Sequence, residues 1–217
     1  MRDKDFRDAL RLVLITPGDR ALSATVNLVE GACRGGVTAV LVREPQRHVA
    51  DRMKLALEIS SITQAEGAAL LVHHDVSVAL ATGAQGVHTG FGGPSIHEIT
   101  SKATDLVVGK SCHWPLAKED LNAGYAFLSP FRETHHSYPR PLLEESQAIE
   151  ALKALGEIPV VALGGLDADD ISDLPDGLAG VAVIRAITDA SQPESAARKL
   201  RSAVEERSFI SGGAHVH

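Results

Sequence analysis

The residues in this sequence that are best suited to chemistry are a histidine, a serine and an arginine, each following an apolar segment. His113 comes two residues after Ser111, and Arg43 follows an apolar run that ends at Val42. Imidazole exchanges protons near neutral pH, so His113 is a candidate general acid/base, with a structural role as the alternative. A guanidinium binds phosphate or carboxylate through two hydrogen bonds, so Arg43 is a candidate anion ligand. An ion pair with Glu44 or a neighbouring loop is its alternative.

Other histidines come in pairs or inside apolar segments. His73 and His74 are adjacent, so on a strand we expect their side chains on opposite faces, which argues against a shared metal ion. For one of them, the alternative is a structural role in which the imidazole forms a hydrogen bond with a backbone carbonyl. We expect His88 to pack in the protein interior. His135 and His136 lie in a predicted polar loop, where a solvated surface position explains them as well as any functional role.

A pair of glycines marks a candidate phosphate site near the end of the chain. Gly164 and Gly165 follow the apolar residues 159–163, and a second apolar run, residues 180–184, leads into Arg185. Glycines after a strand allow close approach of a ligand to backbone N–H groups, and a following helix start supplies more of them. Two such turns from neighbouring strands make a phosphate-binding cup. The alternative is a tight turn that requires positive φ.

These residues follow predicted strands that alternate with predicted helices along the whole chain. β-branched runs without polar alternation indicate strands buried on both faces of a parallel sheet. The predicted strands are residues 12–15, 37–42, 69–72, 86–90, 105–108, 125–128, 159–163 and 180–184. The predicted helices are residues 22–34, 49–65, 76–81, 94–100, 115–121, 142–155 and 194–206.

The regular alternation predicts an α/β fold, a single (β/α)8 TIM barrel. Right-handed crossovers between successive parallel strands close into such a barrel. A doubly wound open sheet is the alternative, but it needs a switch point that nothing in the sequence marks. We expect one barrel domain over residues 1–207 and a flexible tail over residues 208–217. The candidate residues then share the carboxyl-terminal face, where barrel enzymes carry their sites.

Composition excludes several classes of protein. The 217 residues are 44% hydrophobic and 23% charged, which is ordinary for a globular protein. A net charge of -7 argues against nucleic-acid binding, and the apolar runs are too short for a membrane span. The charged start lacks the apolar core of a secretory signal. Cys33 and Cys112 form no metal-binding spacing, so a cytoplasmic location is expected.

Five segments, in order, resemble the thiamine phosphate synthase/TenI superfamily over about residues 12 to 203. They are Val42-Arg43-Glu44, Gly86-Val87-His88-Thr89-Gly90, Gly109-Lys110-Ser111-Cys112-His113, Ala162-Leu163-Gly164-Gly165-Leu166 and Gly180-Val181-Ala182-Val183-Ile184. The resemblance implies a (β/α)8 barrel that handles a phosphorylated thiazole, and often a pyrimidine, in thiamine biosynthesis. It also implies that Gly164, Gly165, Ile184 and Arg185 surround the thiazole phosphate.

The sequence departs from the synthase pattern where that pattern holds pyrophosphate and Mg²⁺. The departures are His73-His74 for Asn-Asp, Gly93 for Asp, Leu41 for Gln, and Pro45 and Ser137 for Lys. Synthases displace pyrophosphate, and Mg²⁺ held by carboxylates offsets the charge on that leaving group. Asp75 or Glu44 could substitute for one ligand, but not for the whole set. The departures therefore favour a function without a metal.

The TenI branch, whose thiazole tautomerases aromatise thiazole carboxylate phosphate, resembles this sequence more closely. That reaction moves a proton between two carbons and needs no metal or other cofactor. The family's catalytic histidine falls on His113, and Glu133-Thr134 also resembles this branch. We therefore expect a metal-independent thiazole tautomerase with His113 and Ser111 as catalytic residues. The expected substrate-binding residues are Arg43, His73, Thr134, Gly164, Gly165, Ile184 and Arg185.

Two alternatives remain open at this point. A thiamine phosphate synthase would require Mg²⁺ and would couple a pyrimidine pyrophosphate to a thiazole phosphate. A non-catalytic barrel that binds a phosphate ester is the third, because the tautomerase pattern does not explain His73-His74. The expected partner is a small phosphorylated thiazole, and a homodimer is compatible with the sequence.

Overall fold

The computed structural model describes residues 3–134 and 141–207 as a closed barrel of eight parallel strands. Each strand pairs with its neighbours in sequence, and β8 pairs with β1. The predicted (β/α)8 fold is therefore confirmed, and the open-sheet alternative is excluded. The strands are β1 (Leu12–Ile15), β2 (Ala39–Val42), β3 (Ala69–His73), β4 (Gly86–Thr89), β5 (Val107–Cys112), β6 (Tyr125–Leu128), β7 (Val160–Leu163) and β8 (Gly180–Val183).

Helices lie between most of the strands. They are α1 (Asp3–Ala9), α2 (Leu22–Arg34), α3 (Val49–Glu66), α4 (Val76–Thr82), α5 (Ile96–Lys102), α6 (Glu145–Leu155), α7 (Arg185–Thr188) and α8 (Pro193–Arg207). Two 3-10 helices, Lys118–Asn122 and Ile171–Asp173, complete the described elements. The helix predicted over residues 115–121 is wrong, because only a 3-10 turn forms there. Pro115 and Asp120 both have low helix propensity, and the segment is too short to compensate for them.

Side chains alternate along the strands between the barrel interior and the helix layer. The interior cluster includes Val13, Leu41 and Leu71, whereas their neighbours in sequence pack under the helices. Phe6 of α1 also belongs to the interior cluster, and its ring centroid lies 5.5 Å from that of Tyr125. Helix α1, which the sequence analysis did not predict, thus contributes to the core inside the barrel.

The same alternation places polar residues at the mouth of the barrel. On β2, interior positions Ala39 and Leu41 are followed two residues later by Arg43. On β3, His73 occupies the next interior position after Leu71 and pairs in register with His88 of β4. The fifth strand is longer than predicted and carries Ser111 within it. The barrel register therefore gathers these side chains at one rim.

Some predictions fall on residues that the structure does not describe. These are the histidine pair His135-His136, the position Ser137 and the tail at residues 208–217. Within residues 3–134 and 141–207, none of the helices combines the length and apolarity that a membrane crossing requires.

Candidate active site

Arg43 is half-buried just after the end of β2 and continues the interior positions of that strand. Its backbone N–H donates to Thr16 Oγ1 at 2.9 Å, which fixes the chain at this point. In the described part of the chain, the Arg43 guanidinium forms no ion pair, because Glu44 pairs instead with Arg47, at 2.5 Å. The ion pair considered for Arg43 and Glu44 is therefore absent, and the Arg43 guanidinium is available to bind an anion.

His73 and His74 lie face to face, with ring centroids 3.6 Å apart and planes inclined by 20°. The expectation that they occupy opposite faces is wrong. Strand β3 ends at His73, and His74 has φ 62°, in the left-handed region that non-glycine residues seldom adopt. That reversal of the backbone breaks the alternation and brings both rings together at the mouth.

The ring of His74 occupies the space beside Gly93 on the loop after β4. A Cβ added to Gly93 would stand 2.4 Å from His74 Nε2, so no larger residue fits without moving the ring. His74 Nε2 also accepts a hydrogen bond from the Gly90 N–H at 3.2 Å. The histidine at 74 and the glycine at 93 are therefore structurally coupled.

The three histidines on this side of the site are neutral. Burial, followed by the charges of His74 and then Arg43, lowers the pKa of His73 to about 3. Burial, followed by the charge of Arg43, lowers the pKa of His74. The pKa of His88 is also lowered well below its usual range by complete burial. Uncharged rings here cannot replace the carboxylates that hold Mg²⁺.

His88 is buried as predicted and links two side chains from other strands. Its Nε2 lies 2.9 Å from Ser111 Oγ, and its Nδ1 lies 3.2 Å from the Tyr125 hydroxyl. The ring of Phe127 packs on His88 with a centroid distance of 4.2 Å. Ser111 is half-buried, and His88 contacts its hydroxyl from the interior of the barrel.

His113 is half-buried just beyond β5, and one of its nitrogens is engaged. Its Nδ1 lies 2.8 Å from the carbonyl oxygen of Ser129, at the end of β6. A carbonyl only accepts, so we assign the ring proton to Nδ1 in the neutral form. Nε2 then carries the lone pair, which is the arrangement that a general base requires.

Cys112 is unsuited to nucleophilic chemistry although it adjoins His113. It is 1% exposed and belongs to the core under the helices. Burial, followed by the charge of Asp120, raises its pKa to about 12. The thiolate form that attacks substrates is therefore suppressed.

The glycine pair after β7 makes a tight turn packed against the loop after β6. Gly164 has φ 112° and Gly165 has φ 64°. An added Cβ would stand 2.8 Å from Pro130 Cα at Gly164 and 2.2 Å from the Glu133 carbonyl oxygen at Gly165. The turn alternative is therefore correct for the backbone conformation. In the described part of the chain, the Gly165 N–H has no hydrogen-bond acceptor.

The loop after β6 carries Thr134 to the same edge of the barrel. The Arg132 N–H donates to the Gly164 carbonyl at 2.9 Å, and the Arg132 side chain pairs with Asp170 at 2.6 Å. Thr134 follows two residues later and is half-buried. These contacts anchor the described part of the loop to the turn after β7.

The end of β8 lies beside the glycine turn because β7 and β8 are paired. Ile184 is half-buried and precedes α7, a single turn that begins at the exposed Arg185. The first N–H groups of a helix have no partners within it. The backbone N–H groups of two adjacent strand ends are thus available at one edge.

A cleft of about 620 Å³ opens beside the histidine pair, within the usual range for small-molecule sites. Its wall does not include His113 or Ser111, so it extends the mouth towards α4 and α5. The lining residues are Glu44, Pro45, Arg52, His73, His74, Asp75, Val76, Ser77, Leu80, Pro94, Glu98 and Lys102.

The carboxylates near this cleft do not fit a magnesium site. Asp75 accepts a hydrogen bond from the Val78 N–H as the N-cap of α4 and pairs with Arg52 at 2.9 Å. Glu44 is buried against Arg47, and its Oε1 has no hydrogen-bond partner among the residues that the structure describes. Within residues 3–134 and 141–207, no three His, Cys, Asp or Glu side chains are grouped so as to hold a metal ion.

Sequence reasoning missed Tyr125, Ser129 and the role of Gly109. Tyr125 was assigned only to a strand, yet its ring passes over Gly109, where an added Cβ would stand 1.9 Å from Tyr125 Cζ. A glycine and a polar aromatic residue on adjacent strands of a barrel are the signal that could have indicated this contact. Ser129 acts through its carbonyl, which the side-chain type does not reveal.

The closed barrel and the polar side chains at its carboxyl-terminal mouth define a (β/α)8-barrel protein with a site built from strand ends. The TMP-TENI family, described as thiamine monophosphate synthase, matches residues 12–187. The chain belongs to this family.

Relatives with assigned names cover nearly the whole chain. A thiamine-phosphate synthase of Natronomonas pharaonis is 32% identical over 84% of this chain and 88% of its own length. A thiamine-phosphate synthase of Pyrococcus abyssi is 30% identical over 93% of this chain and 98% of its own length. A solved structure of thiamine phosphate pyrophosphorylase from Pyrococcus furiosus is 28% identical, with a TM-score of 0.82 over 94% of this chain and 99% of that one.

Proposed function

We propose that the chain is a thiamine-biosynthesis enzyme that aromatises thiazole carboxylate phosphate, a metal-independent thiazole tautomerase. The observation that carries the proposal is the replacement of the carboxylates of the synthase pattern by the stacked His73-His74 pair against Gly93. These rings are neutral, and the remaining carboxylates Asp75 and Glu44 are engaged with arginines. The carboxylates that would hold Mg²⁺ are therefore replaced or engaged, whereas a proton transfer needs no metal.

His113 is the general acid/base of the proposed reaction. Its Nδ1 is held by the Ser129 carbonyl, and Nε2 carries the free lone pair. Nε2 removes a proton from one carbon of the substrate, and the resulting imidazolium returns it to another carbon. The double bond shifts into the ring, and no proton, electron or atom is gained or lost. A single positioned histidine thus suffices for the reaction.

The substrate's two anionic groups match two parts of the mouth. Arg43, which has no ion pair within the described residues, and Ser111 bind the carboxylate. The N–H groups of Gly164, Gly165, Ile184 and Arg185 bind the phosphate, as helix and turn N–H groups commonly do. Thr134 adds a hydroxyl beside the phosphate, and His73 forms the neutral wall opposite.

A thiamine phosphate synthase is the second candidate, and the names of the relatives favour it. Its pyrophosphate and Mg²⁺ would have to be held by Arg52, Lys102, Asp75 or Glu44 along the cleft. Asp75 would first have to break its ion pair with Arg52 and its hydrogen bond to the first turn of α4. The engaged carboxylates weigh against this candidate.

Titration calorimetry separates the two candidates. The protein is titrated with thiazole carboxylate phosphate and with a pyrimidine pyrophosphate, each with and without Mg²⁺. Tight thiazole binding that is unaffected by Mg²⁺, followed by conversion in an isomerisation assay, would support the tautomerase. Mg²⁺-dependent pyrimidine binding would support the synthase. Thiazole binding without conversion would support the non-catalytic barrel and overturn the proposal.

Two further predictions accompany this function. A homodimer is compatible with the sequence and is checked by light scattering at several protein concentrations. A cytoplasmic location is expected from the biosynthetic role and from the two cysteines, which form no metal-binding spacing. Cell fractionation with an antibody against the chain tests it.

A further inference from the structure

A buried chain of three side chains runs from the barrel core to its mouth. The Tyr125 hydroxyl lies 3.2 Å from His88 Nδ1, and His88 Nε2 lies 2.9 Å from Ser111 Oγ. Tyr125 and His88 are 0% and 2% exposed, whereas Ser111 is half-buried and reaches the mouth. Gly109 leaves room for the tyrosine ring, and Phe127 packs on the imidazole. The three groups are therefore held in fixed positions.

The protonation states of the two buried groups are settled by their surroundings. Burial raises the pKa of Tyr125, so its hydroxyl keeps its proton. Burial and the nearby groups His73, His74 and Lys110 lower the pKa of His88, so its ring is neutral and carries one N–H. A neutral imidazole has one donor and one acceptor, so His88 must accept one of its two hydrogen bonds and donate the other.

The direction follows from the tyrosine. In the described part of the chain, His88 Nδ1 is the only hydrogen-bond partner of the Tyr125 hydroxyl. Were Nδ1 protonated, the tyrosine proton would be buried without an acceptor, which is costly. Tyr125 therefore donates to Nδ1, and His88 donates from Nε2 to Ser111 Oγ.

We propose that Tyr125 and His88 are positioning residues that set Ser111 as a hydrogen-bond donor to an anionic oxygen of the substrate. Because Ser111 Oγ accepts from His88, its own proton is free to point into the mouth. The guanidinium of Arg43, which has no ion pair within residues 3–134 and 141–207, adds positive charge to the same rim. The inference rests on the proposed function for the identity of the substrate, thiazole carboxylate phosphate, but not for the direction of the chain.

Nuclear magnetic resonance of the histidine ring nitrogens tests the direction without any substrate. In the wild-type protein we expect the Nε2–H tautomer for His88 throughout the range from about pH 5 to 8, because burial lowers the pKa of the ring. An Nδ1–H tautomer, or a ring that titrates in this range, would overturn the proposal. The resonance is assigned with a His88→Gln variant.

Two interior variants test the consequence for binding. Tyr125→Phe removes only the hydroxyl, so we expect the His88 tautomer to become mixed and the Kd for thiazole carboxylate phosphate to rise about fivefold, as for one lost hydrogen bond. Phe127→Leu disturbs packing on the same ring but keeps all three groups, so the tautomer should stay unchanged. A tautomer shift in Phe127→Leu equal to that in Tyr125→Phe would assign the effect to packing and overturn the proposal.

The two proposals fail separately. If the wild-type tautomer is as expected but thiazole carboxylate phosphate does not bind, the direction of the chain stands and the proposed function is wrong. If the thiazole binds and the tautomer is Nδ1–H, the proposed function stands and the inference is wrong.

Discussion

The imidazole of His74 and the backbone of Gly93 share one space: a Cβ on residue 93 would stand 2.4 Å from His74 Nε2. The left-handed conformation at His74, with φ 62°, turns the ring towards this glycine and onto His73. The synthase pattern has an aspartate at both positions 74 and 93. Where the synthase pattern that this sequence resembles has two acidic side chains, the chain has one imidazole ring and the glycine that leaves space for it.

The contact between His74 and Gly93 predicts strong coupling between substitutions at the two positions. Gly93→Asp alone should lower the free energy of unfolding by about 1–3 kcal/mol, because the ring must be displaced. The double variant Gly93→Asp with His74→Ala should lower the free energy of unfolding by less than the sum of the two single variants, because the space beside residue 93 is then empty. Denaturant unfolding of the four proteins measures this. Simple additivity would show that the ring is not confined by residue 93.

Restoring the acidic pattern should restore metal binding. The triple variant His73→Asn, His74→Asp and Gly93→Asp reintroduces two carboxylates and one amide, which are ligands that Mg²⁺ accepts. We expect it to bind a pyrimidine pyrophosphate in a Mg²⁺-dependent manner that the parent protein lacks. Calorimetry with Mg²⁺ and with a chelator measures the difference. Equal Mg²⁺-dependent binding by the parent would mean that the histidine pair does not block the synthase function.

The role of His113 is tested by its removal. His113→Ala should lower the rate of thiazole isomerisation by at least about 100-fold, the contribution of a general acid/base. Binding should change little, because the phosphate and carboxylate contacts remain. His97→Ala, which removes an exposed histidine of α5, is the matched control and should keep full activity. Near-full activity of His113→Ala would exclude the assigned role.

The sequence predicted the parts of this site that follow from strand alternation. Arg43 and His73 continue the interior positions of β2 and β3, so a correct register was enough to bring them to the mouth. The position of His74 was not predictable in this way. Its left-handed backbone follows from a turn, and a rule of alternation applies only while the strand continues.

The missed elements share a different cause. Strand β5 continues beyond its predicted end at Val108 and includes Lys110, whose amine pairs with Glu119 at 3.2 Å in the helix layer. Helix α1 is stabilised by Phe6 inside the barrel, a contact with a strand more than one hundred residues away in sequence. Local sequence patterns do not indicate partners that are distant in sequence, so these features could be identified only from the three-dimensional structure.

The neutral histidines predict that the protein loses stability in mild acid. The pKa of His73 is about 3 in the folded protein, against 6.5 for an unperturbed histidine. Between these values the unfolded chain binds more protons, so stability falls as pH falls from about 6.5 towards 3. The lowered pKa values of His74 and His88 act in the same direction.

Denaturant unfolding at pH 7.5 and pH 5.0 measures this loss. Each proton bound only by the unfolded chain changes the unfolding free energy by about 1.4 kcal/mol per pH unit. His73→Asn should reduce the dependence on pH, whereas His97→Ala, at an exposed position, should not. An unchanged pH dependence in His73→Asn would contradict the assigned neutral state.

The crossing of Tyr125 over Gly109 predicts opposite effects for two glycine substitutions. Gly109 does not have positive φ, so it is required for space alone: an added Cβ would stand 1.9 Å from Tyr125 Cζ. The tyrosine is 0% exposed and is confined by Phe6 and Phe127, so it cannot move aside. Gly109→Ala should therefore lower the unfolding free energy by about 1–3 kcal/mol or more.

Gly31→Ala is the matched control in helix α2. Its added Cβ would have no neighbour closer than the Glu194 backbone nitrogen at 3.7 Å, an ordinary contact. Alanine is favoured over glycine inside a helix by about 0.5–1 kcal/mol, so this variant should be as stable as the parent or more stable. Thermal and denaturant unfolding compare the two. Equal stability of both variants would show that the tyrosine ring does not fill the space beside Gly109, and the hydrogen bond from Tyr125 to His88 would then lose its structural basis.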